Sequence, residues 1–265
     1  MSQGPVSDSR WDVPASEQTE FRPRSSDYCV VIPVINEGER IRAELTAMTS
    51  VSRAYDVIIA DGGSSDGSVA PEFLATVHVR TLLVKRGPGR YGAQIRMAFA
   101  YAMRQGYEGI VLIDGNNKDN WEAIPDFARL LRDGYDHLQG SRFIPGGLAI
   151  NTPPSRYWGV KLVHAPLISL AAGFRYTDTT NGYRGYSRRF LLDERVQPFR
   201  AAFNSYEIHY YLAIRAARLG FRVREVPVTR RYPSSGPIPT TIGPILGNVH
   251  MLTTLISACL GRFNP

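Results

Sequence analysis

Three short apolar runs, each ending in a polar turn, restrict this chain to a small set of folds: CVVIPV running into INEGER, VIIA into DGGSSDG, and IVLI into DGNNKD. Each is too short for a helix and rich in β-branched residues, which suits a buried strand. The stretch GERIRAELTAMTS between the first two reads as a helix, and strand, helix, strand with short connections is the pattern of a parallel α/β sheet. Residues 77–84 and 109–113 predict the third and fourth strands, with a helix over 92–105 between them. Further on, helices are predicted over 121–132, 160–172 and 206–219, and extended chain over 137–143 and 221–228. No internal repeat or low-complexity tract appears.

Ligands of open parallel sheets bind beyond the carboxyl ends of the strands. Here the first, second and fourth strands end in PVINE, ADGGSSDG and DGNNKD, so acidic and amide groups gather on one rim. Asp61 at the second strand end can accept from a nucleobase imide or a ribose hydroxyl, or it can simply close its own turn. The loop KRGPGRYG, 85–92, leads into a helix and offers a phosphate cradle through Arg90, the amides and the helix N-terminus, although it has neither P-loop nor dinucleotide spacing. Asp114 and Asn116 supply oxygen ligands of the kind that hold magnesium or manganese against two phosphates, the alternative being an Asx-turn network.

Lysine and arginine outnumber aspartate and glutamate by 31 to 24, a net charge of +7, which suits phosphate-bearing ligands, anionic lipid or nucleic acid. With no recognised nucleic-acid module or aromatic-basic platform, nucleic acid is not an expected partner. Two cysteines, Cys29 and Cys259, are too few for a disulfide framework, and the N-terminus lacks a signal pattern, so a cytoplasmic protein is expected. Residues 1–27 are polar and predict a flexible leader. Residues 28–232 predict a single folded domain. Residues 233–265 are fairly apolar but interrupted by Pro239, Gly243, Pro244 and Gly247, short of the roughly 20 residues of a membrane span, and predict a core or interfacial helix.

In order, VVIPVINEGERI, VIIADGGSSDGS, VLIDGNNKD, QGSRFIPGG, DTTNGYRGYSRRFL and RLGFRVREVPVTRR resemble the family 2 glycosyltransferases, in their dolichol-phosphate mannose synthase-like branch, over roughly residues 28–231. The resemblance implies a GT-A fold, a Rossmann-like and mainly parallel sheet flanked by helices. It implies an NDP-sugar donor carrying UDP or GDP, inversion at the anomeric carbon, and hexosyl or N-acetylhexosaminyl transfer in polysaccharide or glycolipid biosynthesis. The acceptor would be a polyprenyl phosphate or a soluble small molecule or glycan, the former bringing peripheral contact with the inner membrane face. By position, Pro33, Asn36 and Glu37 would flank the nucleotide, Asp61 would face base and ribose, and Asp114 with Asn116 would occupy the metal-binding D-x-D. Arg142 would meet an acceptor or leaving phosphate. Asp178, Asn181 and Arg184 would line the acceptor side, with Arg188 adding charge, while Lys161, His164, Arg156 and Tyr157 fall near the acceptor phosphate.

Three departures stand out. Asn116 replaces the second carboxylate of D-x-D, Gly62 replaces the second aspartate of D-D-G-S, and RRYPSSGPIP replaces the R-x-x-G-x-S-K tail. An amide is a poorer metal ligand than a carboxylate, so Asp119 would assist, or Lys118 and arginines would supply part of the charge. For a hydroxyl acceptor the base candidates by position are Asp178, Glu207 and His209. Competing expectations are a nucleotidyltransferase, whose glycine-rich start is missing from PVINEGER, and a catalytically degenerate sugar-nucleotide-binding or membrane-docking scaffold. A homodimer is an option.

Overall fold

The computed structural model describes residues 11–234 and 246–265. Among them, strands β1 (Ser16–Glu20), β2 (Tyr28–Val34), β3 (Asp56–Asp61), β4 (Thr81–Lys85), β5 (Gly109–Leu112), β6 (His137–Ser141), β8 (Arg184–Ser187) and β9 (Val223–Pro227) form an eight-stranded sheet of order β1-β4-β3-β2-β5-β8-β6-β9. A second ladder pairs β7 (Leu148–Ile150) with β10 (Thr229–Arg231) in parallel. The mixed α/β single domain expected for a GT-A fold is therefore present.

β2, β3 and β5 are buried along their whole length because helices cover both faces. Val30, Ile32 and Val34 alternate toward a core shared with α1 (Glu39–Ala47), α2 (Thr49–Ala54), α3 (Pro71–Thr76) and α5 (Ile124–Arg132). Cys29 and Val31 point the other way, onto α4 (Tyr91–Arg104). On that face α4 packs with α8 (Arg188–Leu191) and α9 (Glu207–Arg218), which follow α6 (Pro154–Gly159), a π-helical stretch Val160–His164 and α7 (Ala165–Ala172). The period of two in these apolar runs is what lets one strand feed two cores.

The chain builds β2, β3 and β4 outward and then returns to place β5 on the other side of β2. That reversal opens a crevice between the carboxyl ends of β2 and β5, where INE and DGN emerge. The fold itself thus makes these two turns the walls of one crevice.

Two strands escape the sequence pattern. The flexible leader predicted over 1–27 does not hold for its described part: β1 pairs antiparallel with β4, Ser16 opposite Lys85 and Glu20 opposite Thr81. All five of its side chains face solvent, so no apolar alternation announces it, and main-chain pairing holds it with the Tyr101 hydroxyl donating to Glu20 (2.6 Å) and Arg86 to Glu17 (2.7 Å). Residues 1–10 lie outside the described residues. β8, with the polar sequence RGYS, runs antiparallel between β5 and β6 and closes a sheet that would otherwise split there.

Of the predicted C-terminal segment, α10 (Leu246–Cys259) is described, while residues 235–245 lie outside the described set. It seats Leu255 and Ala258 against Ile168 and Ala172 of α7 and Tyr210 and Ala213 of α9. Val249, Leu252 and Ile256, at helical spacing, remain exposed on another side. Among the described residues no helix is long and apolar enough to cross a membrane.

Candidate active site

Asp61 ends β3 almost wholly buried, and its carboxylate accepts from the amides of Gly63 and Ser64 (both 3.0 Å) and from the Ser64 hydroxyl (2.5 Å). Asn36, in the left-handed region at φ 50°, reaches across from β2: its Oδ1 accepts from the Ser65 amide (2.8 Å) and its own amide donates to Ser64 Oγ (2.9 Å). Glu37 pairs with Arg40 at 2.9 Å. Pro33 is buried within β2 opposite Ala60, so it is wall and not contact. The two turns are laced into one rigid shelf.

The amide cradle predicted in KRGPGRYG is already filled. The Arg90 amide donates to Asn204 Oδ1 and the Gly92 amide to Asn204 O, both at 3.0 Å. A Cβ on Gly92 would lie 2.6 Å from Ser205 O, so the loop needs glycine there to accept residues 203–205, not a phosphate. The Arg90 side chain is exposed.

Across the crevice, Asp114 follows β5 with its carboxylate 22% exposed, and Arg230 Nη2 meets it at 3.0 Å. The other arm of the same guanidinium donates to the fully buried Asp119 carboxylate. Burial acts to lower the Arg230 pKa, but the Asp119 and Asp114 carboxylates outweigh it and hold the group well above its ordinary value. A Cβ on Gly182 would strike Asp114, which explains the glycine of NGYR. The Asn117 amide donates to Glu44 Oε2 (2.8 Å), and burial raises the Glu44 pKa well above the usual carboxylate range. Asn116 Oδ1 is buried with no hydrogen-bond partner. An aspartate beside a spare amide oxygen is a fitting donor set for a hard divalent cation.

Two of the predicted acceptor-side residues, Arg142 and Asp178, meet each other. Arg142 Nε and Nη2 grip the Asp178 carboxylate at 2.6 and 2.9 Å, both side chains buried, and Nη2 also reaches Thr180 Oγ1 (3.0 Å). Glu225 of β9 holds this loop by accepting from the amides of Thr177 (2.8 Å) and Asp178 (3.1 Å) and from Thr177 Oγ1 (2.9 Å). Asn181 Oδ1 closes its own turn on the Tyr183 amide at 3.0 Å. Arg188 Nη1 donates to the Met103 carbonyl (2.8 Å) and serves the fold. Beside Thr177 and Phe143 opens a cavity of about 470 Å³ lined also by Lys161, Ala165, Pro166, Ser169, Arg175 and Tyr176.

Arg184 is buried on β8, donating to Gln139 Oε1 (2.8 Å) and Thr179 O (2.9 Å), with Nη1 lacking a partner. Of the base candidates, Glu207 Oε1 accepts from the amides of Asn204 and Ser205, and His209 Nε2 is hydrogen-bonded to the Tyr91 hydroxyl (3.0 Å). Burial, aided by the Arg184 charge, pushes the His137 pKa down to about 3. The folded state then binds fewer protons than the unfolded state below the ordinary histidine pKa of roughly 6.5. Stability should fall as pH drops from there toward 3. In urea unfolding across that window, His137→Leu is expected to lose less stability than the parent protein, whereas parallel losses would assign the acid limb to other groups.

Sequence reasoning missed Arg230 and Glu225 as members of the site. The arginine pair in VTRRYP signals charge at a strand end, but nothing local says which carboxylate it meets.

No family model matches the chain. Comparison with known proteins finds an undecaprenyl-phosphate mannosyltransferase of Micrococcus luteus, 32% identical over 209 residues, covering 75% of this chain and 81% of that one. A polyprenol monophosphomannose synthase of Mycolicibacterium smegmatis is 29% identical over 76% of each chain. A dolichyl-phosphate hexose transferase of Haloferax volcanii is 26% identical over 88% of this chain and 94% of its own. Among solved structures, glucosyl-3-phosphoglycerate synthase of Mycobacterium tuberculosis, in complex with Mn2+, UDP and glucosyl-3-phosphoglycerate, superimposes with a TM-score of 0.61 at 17% identity, covering 91% of this chain and 85% of that one. That likeness is one of fold. The relationship to the mannosyltransferase, at 32% identity over most of both chains, carries more: the chain belongs to the family 2 glycosyltransferases, in the branch of polyprenyl- and dolichyl-phosphate sugar transferases.

Proposed function

We propose that this glycosyltransferase moves a hexosyl unit, with inversion, from a UDP- or GDP-linked sugar to the phosphate of a membrane-borne polyprenyl phosphate. The observation that carries the acceptor class is that all three candidate bases are buried and hydrogen-bonded within the fold: Asp178 to Arg142, Glu207 to two amides, and His209 through Nε2 to Tyr91. A hydroxyl nucleophile needs a base, whereas a phosphate is already ionised near neutral pH. The cavity beside Thr177 adds Lys161 and Arg175 as cations for such a phosphate. The relatives named for undecaprenyl, polyprenol and dolichyl phosphates agree with this class.

The shelf formed by Asp61 and Asn36 would seat the nucleoside, and Arg90 and Arg184 would supply positive charge around the reacting centre. Asp114 and Asn116 would hold a divalent cation, magnesium or manganese, which when bound supplies charge neutralisation to the departing diphosphate. The helical run 154–172, which supplies Lys161, Ala165, Pro166 and Ser169 to the cavity, exposes Trp158 (56%), Leu162 (68%) and Leu170 (79%), and α10 exposes Val249, Leu252 and Ile256; apolar side chains of this kind suit a lipid interface. The protein would lie there peripherally.

The test is transfer from labelled UDP- and GDP-hexoses, with manganese, to polyprenyl phosphate in anionic vesicles, beside a water-soluble phosphomonoester as competing acceptor. A lipid-linked product that needs one of the two nucleotides is expected. Transfer to the soluble acceptor alone would overturn the lipid assignment.

A further inference from the structure

Arg230 stands at the place a donor-bound cation would need. Its two arms divide between Asp114 at 3.0 Å and Asp119, and the residue is only 7% exposed. A planar guanidinium suits such a two-carboxylate span, which a point-charge ammonium could not make.

The two contacts are unequal. Asp119 belongs to the same backbone unit as Arg230: the Thr229 amide donates to Asn120 Oδ1 (2.7 Å), the Asn120 amide to Thr229 O (3.0 Å) and the Arg231 amide to Lys118 O (2.7 Å). Asp114 stands outside this zipper, and its carboxylate is 22% exposed against 0% for Asp119. Asp119 is thus the anchor and Asp114 the exchangeable partner.

We propose that Arg230 is a built-in counter-cation, which keeps a divalent metal off Asp114 until a diphosphate arrives to take the guanidinium. The inference rests on the donor site proposed above. A metal and a guanidinium cannot share one carboxylate at contact distance without repulsion, so metal alone binds against Arg230. The diphosphate brings acceptor oxygens to which the Nη2 arm can turn while Nη1 stays on Asp119, releasing Asp114 to the metal. Metal and nucleotide then bind as a coupled pair, each raising the other's affinity by the same factor.

The experiment is an Mn2+ titration of the full chain, followed by electron paramagnetic resonance, without nucleotide and with saturating UDP or GDP. Arg230→Met, checked for folding by circular dichroism, should bind Mn2+ alone about tenfold or more tightly than the parent, and its metal-nucleotide coupling should shrink. A purely structural arginine would leave metal affinity unchanged, and a supporting one would lower it on removal. Either result overturns the proposal. If Arg230→Met does not fold, Arg230→Lys keeps the charge but cannot span both carboxylates and should move Mn2+ affinity upward by a smaller factor; no movement there also overturns it. If neither nucleotide binds yet the metal-only difference appears, the donor reading fails while the counter-cation role stands.

Discussion

Asp178→Ala is expected to lower the melting temperature by on the order of 10 °C. The Arg142 side chain is 2% exposed and depends on Asp178 for two charge-assisted hydrogen bonds. Without the carboxylate a buried cation is left uncompensated, which costs about 3–5 kcal/mol. Replacing both partners with apolar residues of similar size, Asp178→Leu with Arg142→Met, should restore much of the loss, because neither charge then remains to be desolvated. Thermal unfolding of the two proteins decides the matter. A shift of only a degree or two for Asp178→Ala would mean that water or Thr180 compensates the arginine.

Asp114→Asn should lower sugar transfer by about 10²–10³-fold, the range seen when one electrostatic stabiliser of a developing anion is removed. The substitution keeps the shape of the side chain, and Arg230 retains Asp119, so the fold should survive with little change in melting temperature. On the proposed reading, the carboxylate that would hold the diphosphate's counter-cation is nevertheless gone. Initial rates at saturating donor, set beside circular dichroism, separate the two effects; activity within tenfold of the parent would move the catalytic weight from Asp114 to Arg230 and its neighbours.

Much of the sheet was legible because a buried strand writes itself locally. Val30, Ile32 and Val34 face one core while Cys29 and Val31 face the other, so the whole run must be apolar. β1 and β8 were not legible for the opposite reason. SEQTE is exposed at every position, and RGYS carries Arg184 into the interior on hydrogen bonds to Gln139 and Thr179, contacts that no periodicity records. The KRGPGRYG loop shows the converse error: its glycines suggest an open anion cradle, but Gly89 and Gly92 make room for residues 203–205, more than a hundred positions away, and Gly87 for Pro14 and Ala15.

From sequence alone came the α/β class, the crowding of Asp61, Asp114 and Asn116 on one rim, and the likeness to the family 2 glycosyltransferases, because each depends on short segments whose residue types decide their own conformation. The tertiary structure alone decided which charges meet. Arg142 found Asp178 across 36 positions and Arg230 found Asp114 across 116, and Glu207 and His209 turned out to be engaged by neighbouring backbone and by Tyr91. A lone charge in a sequence carries no record of its partner: pairing is set by strand order and burial, and in a low-dielectric interior it determines whether an arginine is free to bind phosphate or is held by the fold.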